Sequence, residues 1–206
     1  MRKTVFLTLV TWILLLNNSH AQECMHTNLS HHFNYQISVS RTLDKDSVLT
    51  NAKIVLRIYD KHSKKLVQKI DVENSNSIYD AFKDCTKVRS YITGYRKNAE
   101  ADDCDYGDLI VADLNFDGRE DFVINGGYSA DAGPNYIFYF QDKPGHFKLS
   151  HFLSDRMASF PTYIDAKQKT LVQVYVLGRH QYTKTFKYNV HTRKWRLAKW
   201  TEKKVL

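Results

Sequence analysis

The feature of this sequence that most constrains its fold is the regular recurrence of short segments with the length and composition of β-strands. In the second half of the chain they occupy residues 109–112, 121–125, 136–140, 147–153, 170–176, 182–188 and 195–200. Turn-forming residues separate them, and no long stretch has the 3.6-residue period of an amphipathic helix. Strands spaced by about 8 to 12 residues are typical of an antiparallel meander such as a barrel, a sandwich or a propeller-like fold. We therefore predict an all-β fold.

The first half of the chain has the same cadence. Strand-like runs lie at residues 35–40, 53–59 and 66–72. The polar turn at 60–65 makes the second and third of these a hairpin candidate. Residues 78–82 predict a short helical turn, and residues 86–105 are the least regular part. With 206 residues, of which 43% are apolar, and no linker or internal repeat, the chain predicts one domain.

The N-terminus has the layout of a secretory signal peptide. Arg2 and Lys3 precede a mostly apolar run at residues 5–16, and a polar stretch follows that run. We expect cleavage after Ala21, which leaves residues 22–206 as the mature domain. A retained membrane anchor is the alternative, although the apolar run is short for a hydrocarbon core of roughly 30 Å. The expected location is periplasmic or secreted, without stable membrane insertion.

The cysteines point to one disulfide. Export would carry three cysteines into an oxidising compartment, where two can pair and one is left over. Three pairings are possible. We predict a Cys85–Cys104 bond, because these residues flank a polar stretch whose closure would restrain the long connection before the central motif. Cys24, near the mature terminus, is then free or intermolecular.

One segment has a strong chemical signature. Residues 113–121 place side-chain oxygens at relative positions 1, 3, 5 and 9 and a glycine at position 6. Ca²⁺ takes roughly six to eight oxygen ligands, and this alternate spacing lets one loop wrap the ion while the glycine permits a sharp turn. We predict one Ca²⁺ held by the side chains of Asp113, Asn115, Asp117 and Asp121 and by the carbonyl of Arg119, whose side chain points away.

The loop departs from the EF-hand pattern at relative position 12, where Ile124 stands in place of a bidentate glutamate. Its flanks also have the character of strands. A tight Asp-Gly hairpin with solvated acids is the alternative interpretation. Charge favours an ion, because residues 99–121 carry nine acids against the single base Arg119, and a bound cation would offset their repulsion.

The loop resembles the strand-loop-strand calcium loops of FG-GAP and VCBS-type propeller repeats, in which Asp121 would close the ligand shell. A wider string resembles a family of exported bacterial calcium-loop proteins, through residues 105–108, 111–118, 120–122, 126–128 and 133–136. That resemblance covers roughly residues 76–200 and implies a small propeller-like β fold. The best understood members are immunity proteins of contact-dependent killing systems, which inhibit peptidoglycan hydrolase effectors and can also inhibit lysozyme.

The sequence lacks the familiar catalytic signatures: it has no His-Glu-x-x-His, no Cys-x-x-Cys, no nucleophile elbow and no phosphate-binding loop. We therefore predict a binding protein without catalytic residues, with an envelope hydrolase as the enzymatic alternative. Residues 126–135, rich in small side chains and next to the calcium loop, form the candidate contact loop, with a plain connection as the alternative. Its predicted partner-binding residues are Tyr128, Ser129, Asp131 and Asn135.

The C-terminal segment, residues 179–206, interleaves nine bases with aromatic residues and holds one acid, Glu202. Such a pattern can bind nucleic acid or another anionic polymer. In an exported protein we expect no nucleic acid, and an anionic cell envelope or an acidic protein is the better partner. The alternative is that the bases face solvent while the aromatic residues face the core.

The resemblance and the signal peptide together imply a partner: a cell-wall hydrolase of lysozyme type, or another extracytoplasmic protein, that this chain would block. Loss of the signal peptide lowers the formal charge from +8 to +6, because two bases and no acids leave with it. A basic inhibitor would be repelled by strongly cationic host lysozymes, which favours a cognate bacterial effector. The runner-up is a calcium-stabilised glycan-binding or adhesion module of the cell envelope.

Overall fold

The computed structural model describes residues 20–43, 49–74, 82, 85–97, 106–129, 133–157 and 159–205. Within these residues, thirteen strands and one short helix form three sheets, so the all-β prediction is confirmed. Residues 1–19 of the predicted signal peptide lie outside this set, as does all but Phe82 of the predicted turn at 78–82. No helix in the described part of the chain is long and apolar enough to cross a membrane.

The first sheet is an antiparallel meander of four strands that follow one another along the chain. They are β1 (His20–His26), β2 (Phe33–Leu43), β3 (Leu49–Asp60) and β4 (Leu66–Asn74). Alternate residues of β2 and β3, such as the paired Ile37 and Leu56, are fully buried, as the period of two requires. The pairing of β3 with β4 confirms the predicted hairpin.

The second sheet has five strands in the order of the chain. They are β5 (Val88–Ser90), β6 (Leu109–Ala112), β7 (Asp121–Ser129), β8 (Gly133–Lys143) and β9 (His146–Leu149). The first pair, β5 with β6, is parallel and the others are antiparallel. Every residue of β6 is buried, because this sheet is covered on both faces.

The third sheet follows a single helical segment, α1 (His151–Arg156), and is again a four-stranded antiparallel meander. Its strands are β10 (Tyr163–Asp165), β11 (Thr170–Leu177), β12 (His180–Asn189) and β13 (Lys194–Lys204). β13 is an edge strand, and all but one of its residues are exposed.

The second sheet lies between the other two. Leu109 and Val111 of β6 pack into a core shared with the first sheet, whereas Ile110 and Ala112 pack into a core shared with α1 and the third sheet. Burial of one such aliphatic side chain stabilises the fold by about 1.5–3 kcal/mol. The molecule is therefore a stack of three β layers around two cores.

Several local predictions differ from the structure. Residues 147–153 were expected to form one strand, but β9 ends at Leu149 and residues from His151 onward form α1. The short strands β1, β5 and β10 have no counterpart among the predicted segments. Each is stabilised by pairing with a longer neighbour, which is a tertiary effect that the composition of three to seven residues does not reveal.

The predicted Cys85–Cys104 bond is wrong, because Cys85 is bonded to Cys24 with a Cα–Cα distance of 6.0 Å. β1 pairs with β2 along its whole length and so carries Cys24 to the turn that precedes β5. The neighbouring His26 holds the same turn, through a 2.8 Å contact between its Nε2 and the carbonyl oxygen of Cys85. The bond thus joins the first sheet to the start of the second. Cys104 lies outside the described residues.

Candidate functional site

The loop at residues 113–121 connects β6 to β7 and turns sharply between two buried strands. Two of its residues have left-handed backbone conformations: Gly118 with φ +80° and Phe116 with φ +62°. Glycine adopts this conformation without a steric cost, whereas phenylalanine does so only where its surroundings hold it. We call this segment the 113–121 loop.

Two side chains of the 113–121 loop converge on one backbone nitrogen. The N–H of Asp117 lies 3.1 Å from Oδ1 of Asp113 and 3.1 Å from Oδ1 of Asn115. The other carboxylate oxygen of Asp113 accepts the N–H of Gly118 at 3.0 Å. Desolvation by burial raises the pKa of Asp113, and the nearby charge of Asp117 raises it further. Oxygens at relative positions 1 and 3 therefore face the inside of the turn together.

Asp121 closes the loop from its other end. Its side chain is fully buried, and Oδ2 accepts the N–H groups of Leu114 at 3.0 Å and Asn115 at 3.2 Å. Oδ1 accepts the N–H of Gln141 in β8 at 2.9 Å. Burial raises the pKa of Asp121 well above its usual range despite these three hydrogen bonds, and the charge of Asp117 contributes in the same direction. Asp121 thus holds the turn against the second sheet.

The Arg119 side chain folds back onto the loop, so the prediction that it points away is wrong. Its Nε donates to Oδ2 of Asp117 at 3.1 Å, and its Nη2 contacts the same oxygen. Its Nη1 donates to the carbonyl of Asp142 in β8 at 3.1 Å. The guanidinium and the Asp117 carboxylate form an ion pair at the surface of the turn.

The described residues contain no group of three or more His, Cys, Asp or Glu side chains arranged to hold a metal ion. Acidic and amide oxygens of the 113–121 loop nevertheless retain unused lone pairs. Oδ1 of Asn115 and Oδ1 of Asp117 each accept one backbone N–H, and an oxygen of this kind has two lone pairs. These oxygens belong to the chemical class that hard divalent cations prefer.

The 113–121 loop also contacts both outer sheets. Glu120, which is only 4% exposed, accepts the Ser30 hydroxyl and, at 2.8 Å, the N–H of His31 in the turn between β1 and β2. On the other side, the Phe116 ring lies 6.2 Å from that of Trp195 in β13. Lys169 Nζ donates to the Phe116 carbonyl at 3.3 Å. The loop is therefore the place where all three layers meet.

Neither Glu120 nor Phe116 is a predicted site residue. Glu120 was one of nine acids in a dense cluster, and nothing local distinguishes it from its neighbours. Its partner Ser30 lies 90 residues earlier in the chain. The one available signal was the position of Phe116, the single aromatic residue in a loop whose other members, apart from Leu114 and Gly118, are polar or charged.

Two clefts open beside Arg119, one on each side of the second sheet. The larger, of about 740 Å³, lies toward the third sheet and is lined by residues that include Asp117, Lys148, Phe152, Tyr188 and Trp195. The smaller, of about 580 Å³, lies toward the first sheet and is lined by residues that include Phe33, Asp60, Leu66 and Glu120. Apolar side chains are exposed at both rims, with Leu66 52% and Phe152 38% accessible.

The predicted contact loop at 126–135 is mostly a paired hairpin. β7 continues to Ser129 and β8 begins at Gly133, with Tyr128 paired to Pro134 and Gly127 to Asn135. Asn135 is half-buried, and Asp131 lies outside the described residues. The hairpin tip and the 113–121 loop stand at opposite ends of β7, whose nine residues span about 25 Å. The expectation that the two are adjacent is therefore wrong.

Compared with protein-family models, with curated proteins and with solved structures, the chain shows no match.

Proposed function

We propose that this chain is a calcium-stabilised, extracytoplasmic binding protein without catalytic activity. The observation that carries the calcium assignment is that side-chain oxygens of Asp113 and Asn115 converge on one backbone nitrogen of the loop, at the junction of the three layers. Asp117 raises the pKa of both Asp113 and Asp121, so its carboxylate is close enough to repel each of them. A divalent cation supported by these side chains and by Asn115 would offset that repulsion.

Calcium bound there would act on the whole stack. The 113–121 loop contacts the first sheet through Glu120 and the third sheet through Phe116, so fixing the loop restrains both interfaces. A ligand that binds only the native state stabilises it by about 2.7 kcal/mol at a concentration one hundred times its dissociation constant. The ion's role in this proposal is structural.

Scanning calorimetry of the chelated protein tests the calcium assignment. Added Ca²⁺ should raise the melting temperature, and Asp113→Ala should abolish that rise because it removes both oxygens at relative position 1. The matched control is Asp155→Ala, an exposed aspartate in α1 outside the loop, which should leave the rise unchanged. An unchanged melting temperature of the parent protein in Ca²⁺ would refute the assignment.

The binding partner that we propose is a cell-wall hydrolase of lysozyme type, which the chain inhibits. Three observations support this proposal: the signal-like N-terminus, the resemblance of residues 105–136 to the immunity family, and the lack of a catalytic motif. Two of the three sheets are four-stranded antiparallel meanders, which is the kind of sheet that forms a propeller blade. Two surfaces are candidates for the contact. One consists of the rims of the two clefts, where Leu66 and Phe152 are exposed. The other is the β7–β8 hairpin with Tyr128, Ser129 and Asn135, and the predicted contact residue Asp131 lies outside the described residues.

A capture experiment followed by a lysis assay tests the partner. The mature protein should retain a hydrolase from an extract of the organism's own envelope and should slow the clearing of a cell-wall suspension by that enzyme. Leu66→Ala combined with Phe152→Ala should weaken inhibition if the clefts form the contact, and Asn135→Ala should weaken it if the hairpin does. Unchanged lysis with every captured hydrolase would refute the inhibitor proposal.

A second candidate function is glycan binding, and one observation favours it specifically. Three aromatic side chains form a parallel, partly exposed stack on the third sheet, away from both cores. Flat aromatic surfaces that remain in contact with water are a common means of holding sugar rings, because their apolar faces match the C–H faces of the sugar.

A further inference from the structure

The third sheet extends beyond the core that it covers. One face of β11, β12 and β13 carries Leu171, Phe186 and Trp195, which pack against the second sheet. Further along the same face lie Tyr175, Tyr182 and Trp200, and none of these three belongs to either core. We call these three residues the aromatic row.

A β-bulge is what brings Trp200 onto this face. Thr185 pairs with Lys199 and Phe186 pairs with Leu197, so Ala198 has no partner on β12. Side chains alternate between the two faces of a strand, and Trp195 and Trp200 are five residues apart. Without the extra residue they would lie on opposite faces. Bulges commonly redirect a side chain in this way, at a local cost in pairing.

The rings of the aromatic row are parallel and cross three strands. The Tyr175 and Tyr182 centroids are 5.2 Å apart with 19° between the ring planes. Tyr182 and Trp200 follow at 6.4 Å and 6°. Trp200 is 57% exposed and lies on the edge strand β13, so no further strand of the described chain covers its outer side. The row therefore ends in an accessible indole.

Polar groups surround the aromatic row. Lys184 Nζ lies 5.2 Å from the centroid of the Tyr175 ring, and no carboxylate of the described residues forms an ion pair with it. Nδ1 of His180 lies 2.6 Å from Oε1 of Glu202 at the far end of the row. The aromatic rings, the Lys184 ammonium group and the His180–Glu202 pair therefore lie on one face of the third sheet.

The rest of the third sheet carries a surplus of positive charge. On the opposite face, five bases of β12 and β13 lie at alternating positions: Lys187, Lys194, Arg196, Lys199 and Lys203. Arg196 stands directly opposite Lys187, and like charges in that relation destabilise a sheet. Their field extends over roughly 8 Å in physiological salt and attracts anions to this end of the molecule.

We propose that the aromatic row is a binding site for a carboxylate-bearing polysaccharide. A sugar ring lies against the exposed indole of Trp200, a carboxylate of the chain pairs with Lys184, and hydroxyl groups reach the His180–Glu202 pair. An acidic peptide fits less well, because it offers the same charges without a rigid C–H face for the rings. This inference rests on the second candidate function and is independent of calcium and of the hydrolase.

Titration of the mature protein with defined oligosaccharides tests the site. The probes are an oligogalacturonate, a neutral cello-oligosaccharide of equal length and a polyglutamate of equal charge, with affinity measured by calorimetry. Residues 22–206 contain only two tryptophans, so the emission of the exposed Trp200 can be followed beside that of Trp195. We expect the oligogalacturonate to bind and to shift the Trp200 emission to shorter wavelength.

Single substitutions locate the site. Trp200→Ala should weaken oligogalacturonate binding at least about tenfold, since it removes the accessible ring. Lys184→Gln should weaken oligogalacturonate binding without reducing the weaker affinity for the neutral probe. The matched control is Tyr163→Ala, which removes a 64% exposed ring from the other face of the same sheet and should change nothing. The melting temperatures of all three variants verify that they fold.

Three outcomes would overturn the proposal: no binding of the oligogalacturonate, equal or tighter binding of polyglutamate, or equal losses from Trp200→Ala and Tyr163→Ala. The lysis assay separates this site from the inhibitor proposal. A Trp200→Ala protein that still slows lysis but no longer binds the oligosaccharide supports two independent surfaces. If Trp200→Ala binds the oligosaccharide as tightly as the parent protein does, the aromatic row is not the binding site, whatever the lysis assay shows.

Discussion

The 113–121 loop and the aromatic row are built in opposite ways. In the loop, the buried carboxylate of Asp121 holds three backbone N–H groups, and Glu120 reaches a turn 90 residues earlier in the chain. In the aromatic row, large side chains lie outside both cores, and Trp200 is 57% exposed. The polar groups of the loop form hydrogen bonds that hold the sheets together, whereas the aromatic row leaves apolar ring surface in contact with solvent. The first arrangement indicates a structural role, and the second indicates a binding role.

Substitution of Asp121 should give the largest effect on stability. Asp121→Ala leaves the N–H groups of Leu114, Asn115 and Gln141 without an acceptor inside the protein. Each unpaired buried donor costs about 1–3 kcal/mol, so we expect a loss of about 5 kcal/mol in the free energy of unfolding. Urea denaturation in chelator measures it. A loss below about 1 kcal/mol would contradict the structural role of the loop.

Removal of the disulfide should have the next largest effect. Replacing Cys24 and Cys85 together by serine releases a cross-link between residues 61 positions apart. Loss of that restraint in the unfolded chain predicts a destabilisation of about 4 kcal/mol. Urea denaturation of the double variant gives the value, and Cys104→Ser serves as the control. A loss in the Cys104→Ser control as large as that in the double variant would favour the Cys85–Cys104 pairing instead.

Substitution in the aromatic row should hardly affect stability. Trp200→Ala removes a side chain that is 57% exposed and touches neither core, so we expect a change within about 0.5 kcal/mol. Trp195→Ala, on the same strand but packed between Phe116, Phe140 and Tyr188, is the contrasting variant. It should cost about 3 kcal/mol or more. Similar losses in the two variants would remove the distinction between the binding and structural parts of this sheet.

The smallest effect that we predict concerns Asp60, the last residue of β3. Its Oδ1 accepts the N–H groups of Ser63 at 2.6 Å and His62 at 3.1 Å, and these bonds hold its pKa below the usual value. Burial drives the pKa of Asp121 in the opposite direction, although the same kind of bond is present. A lowered pKa means that Asp60 stabilises the fold above its unfolded pKa and that this contribution is lost as the pH falls through the folded value.

Carboxyl chemical shifts recorded by NMR during an acid titration measure the pKa of Asp60. Ser63→Pro removes one N–H donor and should move the value upward, and Ser154→Ala, a change remote from this turn, should not. A pKa of Asp60 in the parent protein that equals or exceeds the pKa of aspartate in a model peptide would show that these hydrogen bonds do not lower the pKa in water.

The long strands could be predicted from sequence because alternation of apolar residues is a local property. β2, β3, β11 and β12 all lie where the runs indicated them. α1 has only six residues, which is fewer than two helical turns, so its sequence shows no clear helical period between the neighbouring strand-like segments. The strand β1 is largely polar, and it forms a strand because all of its residues pair with residues of β2.

The position of the candidate site could be predicted from the sequence, but its contacts could not. The spacing of Asp113, Asn115, Asp117 and Asp121 marked the loop, but the carboxylates' hydrogen-bond partners depend on where the chain returns. Glu120 meets Ser30, and Phe116 meets Trp195, only after three sheets have assembled. The aromatic row was hidden for the same reason, since a bulge of one residue decides which face carries Trp200.

The edge strand β13 also bears on how copies of this protein behave toward one another. About half of its eleven residues point unpaired N–H and C=O groups outward, because these groups alternate between the two sides of a strand. This outer row forms an open template onto which another chain could add as a new strand. The bases along this edge oppose that addition, because two such edges repel. A polyanion that neutralises them removes this protection, so protein held on an acidic polymer would come together edge to edge, whereas protein free in solution would remain apart.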